Sequence, residues 1–170
     1  MLKKILIGLA LVFIIIQFIR LEKNDSNDLT YDISTKYEIP EDVNHLLKVS
    51  CNDCHSNKTE YPWYANVQPV AWWLNNHIVD GKRHLNYSNF TKLPIAVQNH
   101  KLEETIEMVK KKEMPLESYT NLGLHSEANL TDEQREMITE WAKKQMDYLK
   151  NTYPADSLVM KRRPRPKPTK

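Results

Sequence analysis

Two thiols and an imidazole stand together in Cys51-Asn52-Asp53-Cys54-His55. In C-x-x-C-H spacing, one helical turn sets two sulfurs where they can add to the two vinyl groups of a porphyrin, and the following imidazole can reach the iron. The same residues admit other chemistry. A dithiol redox pair needs its cysteines at a helix N-terminus after a strand, in an α/β domain. No run of strands is visible here, and the motif follows a helical pattern. A structural zinc site wants four ligands, usually including a second cysteine pair, and the chain has only two cysteines. A disulfide between Cys51 and Cys54 would close a very small loop. The pattern therefore predicts one covalent haem c, attached through Cys51 and Cys54 and ligated by His55.

A haem iron takes a second axial ligand, and Met114 is the expected one. It follows a helical segment, and Pro115 restrains its backbone toward an extended conformation that holds the thioether off the helix end. Met108, Met137 and Met146 lie inside helical patterns and read as core or surface residues, and Met160 adjoins the tail. His77 is the alternative ligand, although a histidine on an apolar helix face is more often satisfied by a backbone carbonyl. His84, His100 and His125 are weaker candidates. Trp63, Trp73 and Asn86 are expected to wall the porphyrin or bond its propionates, with Lys82, Arg83 and Ser88 as further propionate partners. A plain aromatic core is the bland alternative.

These residues need elements to position them. The chain has 170 residues, with three glycines and nine prolines, a composition that favours an all-α domain. Pro40 and Pro69 are expected in the first turns of two helices. Val43, Leu46 and Leu47 line the first; Val70, Trp73, Leu74, His77 and Ile78 line the second. A third begins near Gln98 and carries Leu102, Ile106 and Val109. The fourth opens on a Thr131–Gln134 capping box and buries Met137, Ile138, Trp141, Ala142, Tyr148 and Leu149. Residues 56–68 and 79–97 read as long irregular loops, which a small helical domain holds only when it wraps something large.

Ahead of the domain, Lys3 and Lys4 precede an apolar run from Ile5 to Ile19. The run ends without the small residues of a cleavage site, which favours an uncleaved N-terminal membrane-anchor helix over a signal peptide or a buried helix. The run is short for the ~30 Å hydrocarbon core. Residues 1–21 are thus expected as the anchor, 22–38 as a polar stalk, 39–153 as the haem domain and 154–170 as a basic, proline-rich tail. This places the domain at the bacterial cytoplasmic membrane, facing the periplasm. The chain carries a net charge of +2, but residues 161–170 contribute six bases and no acid, and residues 29–160 stand at −5. An acidic folded body argues against nucleic acid as a partner.

Cys51 to Ser56, Tyr61-Pro62-Trp63-Tyr64, Pro69, Trp72-Trp73, His77-Ile78, Gly81, Leu85-Asn86 and Ser88 form one run. Met114-Pro115, Tyr119, His125, Ala128-Asn129-Leu130 and the helix of Trp141 continue it. This series resembles an exported bacterial haem-binding domain family, related in pattern to class I c-type cytochromes. The resemblance implies covalent haem, a small cytochrome-c-like helical fold with long loops, and a pocket role for His77. The functional expectation is one-electron transfer to redox protein partners. A sensor with a labile sixth ligand is the alternative, and a small peroxidase a lesser one; the protein is expected to carry electrons rather than catalyse.

Overall fold

Among the described residues, 1–121 and 125–160, the computed structural model carries the chain through seven α-helices and several short 3₁₀ turns. The helices are α1 (Leu2–Ile16), α2 (Glu41–Ser50), α3 (Asn52–His55), α4 (Val70–His84), α5 (Ile95–Lys110), α6 (Glu117–Thr120) and α7 (Asp132–Thr152). The described fold is all-α, with long loops and one isolated antiparallel bridge, Asp25 to Lys58.

The helix ends follow from local chemistry. Pro40, Pro69 and Pro94 each stand one residue ahead of a helix, where a missing N–H costs nothing. At α7 the Thr131 hydroxyl accepts from the Gln134 N–H. The Gln134 side chain in turn accepts from the Thr131 N–H at 2.8 Å, which completes the expected capping box. This helix is the scaffold: Ile138, Trp141, Ala142 and Leu149 are buried along it, and α5 packs alongside through Leu102 and Val109. The Trp141 indole donates to the Glu38 carbonyl at 3.0 Å, tying α7 to the chain entering α2. Met137 and Tyr148, expected on the buried face, stand exposed at its margins.

Two segments differ from expectation in ways that matter for the site. Ile33 and Tyr37 sit in the core at 3 % and 1 % exposure, and the Tyr37 hydroxyl donates to Gln98 on α5. Residues 24–37 therefore lie against the domain, and Asn24 is bonded to the Ser56 carbonyl, Thr59 and Tyr61. On α4 only Ile78 of the predicted apolar stripe is buried, while Val70 and Trp73 are exposed. The inward side of α4 is given instead to a close crossing with α3. The helix also runs to His84, which shortens the expected loop from 79 to 97, and a 3₁₀ stretch, Tyr87–Lys92, fills part of the remainder.

The N-terminal reading is corrected. No helix among the described residues is long and apolar enough to cross a membrane. The apolar helix α1 has 15 residues. At a rise of about 1.5 Å per residue it reaches roughly 22 Å, short of the ~30 Å hydrocarbon core. Directly after it the chain returns to the domain. The Gln17 side chain bonds both the N–H and the carbonyl of Gln68, Gln68 donates to the Ile19 carbonyl, and Arg20 donates to the Asn66 carbonyl. The polar groups at the end of the run are thus engaged by protein, so a longer span does not form. The expected membrane-anchor helix, the membrane as partner and the placement at the cytoplasmic membrane facing the periplasm fall together. The basic part of the tail, 161–170, lies outside the described residues.

Ile138 of α7 is fully buried in the core cluster that also holds Leu102 and Val109 of α5. Truncation to alanine is expected to lower unfolding free energy by about 2–5 kcal/mol, measured by urea titration. A loss within the range of surface substitutions would show that the α5–α7 contact does not carry the fold.

Candidate functional site

Helix α2 ends at Ser50, and Cys51 leads directly into the single turn of α3, so the attachment motif sits at a corner between two helices. Such a short helix cannot hold its own orientation. It is held by α4. A Cβ on Gly81 would lie 2.7 Å from the Cys54 carbonyl oxygen and 3.0 Å from its Cβ, so only glycine permits this approach. The crossing brings the Gly81 and Leu85 carbonyls each to 3.0 Å from His55 Nδ1. Carbonyls only accept, so Nδ1 carries the hydrogen. Nε2 is then left as a bare lone pair, with no hydrogen bond among the described residues. Burial holds the imidazole below its ordinary range, against a smaller upward pull from the two carbonyls, and keeps it neutral at pH 7.

The thiols are in the opposite condition from a redox dithiol. Both are free and partly buried. Burial pushes Cys51 up, with its Ser50 contact opposing, and pushes Cys54 up to about 11, helped by the charges of Asp53 and Cys51. Catalytic dithiols need a lowered value. Here both sulfurs remain protonated at pH 7.

Cys51, Cys54 and His55 open onto a cavity of about 860 Å³ between α3, α4, α5 and the turn at Met114. This lies within the ~300–1,000 Å³ of ordinary cofactor pockets. His77, Asp80, Gly81 and His84 line it from α4; His100, Lys101, Glu104, Thr105 and Met108 are among the residues lining it from α5; Met114, Leu116 and Tyr119 line it beyond α5. A neutral, pre-oriented imidazole and two protonated thiols beside a chamber of this size fit a porphyrin.

The model of a family described as a haem-binding domain matches residues 11–144. The chain belongs to the haem-binding domain family. No curated protein and no solved structure matches it.

In this haem-binding domain, the structure brings Cys51, Cys54, His55, Met114 and His77 to one cavity. His77 shares its edge, with Nδ1 donating to the Trp73 carbonyl at 2.9 Å and the Trp73 ring 4.4 Å away. Trp63, Trp73 and Asn86 are not on the cavity wall. Trp63 is 77 % exposed and Trp73 48 %. Asn86 caps the 3₁₀ stretch after α4, accepting from Ser88 N–H, and donates to Asn57. Lys82 bonds Asn24, Arg83 pairs with Asp80, and the Ser88 hydroxyl accepts from Asn57 N–H. The cation on the wall is instead Lys101, paired with Glu104 at 2.6 Å.

Sequence reasoning misses the backbone partners of His55 and a second anchor. The Asp53 carboxylate accepts from Tyr119 at 2.7 Å and from the Glu60 N–H at 2.8 Å. Tyr119 stacks on His125 at 4.2 Å, and His125 bonds Tyr64 at 2.7 Å. The signal for Gly81 is its place in the family series; its position inside a helix, where an isolated glycine often marks close packing, is hidden because residues 79–97 read as a loop.

Gly81→Ala is expected to push α3 off α4 and loosen both carbonyl bonds to His55. The haem-loaded variant should show a broadened Soret band and an unfolding midpoint lowered by an amount equivalent to about 1–3 kcal/mol. An unchanged spectrum and midpoint would contradict the crossing as described.

Proposed function

We propose that this domain binds a single haem c covalently, by thioether bonds from Cys51 and Cys54, and serves one-electron transfer rather than catalysis. Each thiol adds as S–H across a vinyl double bond, and Cys51 and Cys54, three residues apart and both free, are spaced for two such additions. When bound, haem supplies an Fe(II)/Fe(III) couple. The observation that carries the reading is the hydrogen bonding of His55. With its Nδ1–H given to the Gly81 and Leu85 carbonyls, the ring presents Nε2 as a neutral donor in a fixed orientation. This is the arrangement by which proteins orient and strengthen a metal-binding imidazole.

Met114 is the proposed second axial ligand. It lines the same cavity as His55, and Pro115 beside it is buried. A thioether and an imidazole together on a haem iron would leave no open coordination position, which suits electron carriage and would raise the potential relative to two histidines. His77, also on the wall, is the competing ligand.

The oxidised and reduced optical spectra of the haem-loaded protein test this. The parent is expected to be low-spin in both states, with the weak near-infrared band of methionine-ligated ferric haem. Met114→Ala (M114A) should lose that band and keep its haem. A high-spin parent would point to an open site for a small ligand. Persistence of the band in M114A would remove Met114 from the iron.

A further inference from the structure

Arg135 is on α7, away from the attachment motif, and its position is at odds with its own helix. It lies four residues after the Thr131 cap, near the positive end of the helix dipole, where a cation is disfavoured. Its partners account for it. One guanidinium nitrogen, Nη1, donates to the Met114 carbonyl at 2.7 Å and to the Val109 carbonyl at 3.1 Å. Val109 is in the last turn of α5, and Met114 is the residue at which the chain leaves the turn that follows. A single cation thus joins the end of α5 to the segment carrying the proposed ligand.

The turn between them needs such a clamp. The N–H groups of Glu113 and Met114 both donate to the Met108 carbonyl, at 3.0 and 3.2 Å, doubling the chain back over the helix end. Lys112 has a positive φ of 60 degrees. That is the left-handed region glycine usually fills at a helix C-terminus, and a residue with a Cβ adopts it under strain. The reversal is therefore held by contacts more than by local preference. The Lys112–Asp132 ion pair, 2.6 Å, is exposed on both sides and adds little. The charge-assisted bonds from Arg135 to two carbonyls are the stronger tie.

We propose that Arg135 is a positioning residue for the sixth coordination position: by fixing the Met114 carbonyl to α7, it keeps the thioether at the cavity wall and the iron closed to outside ligands. This rests on the proposed ligation by Met114. Without the guanidinium, the turn samples open arrangements, the methionine leaves the iron for part of the time, and exogenous bases compete for the vacancy.

The test uses the haem-loaded full chain as parent, R135Q, R135K and D132N, with ferric near-infrared spectra and imidazole titrations of each. R135Q should lose most of the methionine band, keep covalent haem, and bind imidazole about tenfold more tightly, as expected when the open population rises by that factor. R135K, which retains a cation, should recover part of the band. D132N breaks the ion pair at the same turn and should leave the band and imidazole affinity unchanged, which separates positioning from general loosening. If R135Q does not fold, a weakened band and tighter imidazole binding in R135K give the same reading. A parent with the band and an R135Q that keeps both band and parental imidazole affinity overturns the inference alone. A parent without the band overturns the ligation by Met114, and the inference with it.

Discussion

A helix of one turn makes too few internal hydrogen bonds to fix its direction, yet α3 carries Cys54 and His55 and begins at Cys51. Its geometry is borrowed from α4 through the contact at Gly81. The missing side chain lets the Cys54 backbone come against the α4 surface, and the same contact puts two carbonyls on His55 Nδ1. Fold and chemistry meet at this point: the interaction that orients α3 is also the one that sets the tautomer of the imidazole. A residue with a Cβ at position 81 would disturb both together.

Around this contact the domain is braced from two further directions. On one side, Tyr119 and the Glu60 N–H hold the Asp53 carboxylate within the motif, and the Tyr119 ring lies against His125. On the other, α7 supports α5 along its length and reaches the Met114 turn through Arg135. The cavity walls thus come from elements widely separated in sequence, tied to one another by hydrogen bonds. His55 Nε2, left uncommitted by these bonds, is the atom a metal would use.

What is legible in the sequence is local. Cys51, Cys54 and His55 follow from spacing alone, and α7 from a capping box followed by a helical period. Gly81 and Leu85 stand in the family series, but they hold His55 through backbone carbonyls, a role that no side-chain pattern reveals. Arg135 is hidden for the same reason, since its partners are backbone oxygens. Trp63, Trp73 and Asn86 lie near the motif along the chain, and that proximity assigns them to the cofactor. In space, the two tryptophans are carried outward, and Asn86 caps the turn after α4. Ile33 and Tyr37 are obscured by the polar residues around them. The N-terminal apolar run, with no cleavage pattern after it, reads as an anchor despite its shortness, whereas no helix among the described residues is long and apolar enough to span, and Gln17 and Arg20 return to the domain.

The proposed function turns on whether Cys51 and Cys54 attach haem covalently. Intact mass spectrometry after acid denaturation, on protein produced alongside a c-type haem attachment system, addresses it most directly. Thioether attachment predicts a chain heavier by one haem, with the haem absent from the solvent extract and the added mass lost when both cysteines are replaced by serine. A chain at its unmodified mass, with haem recovered in the extract, would contradict it.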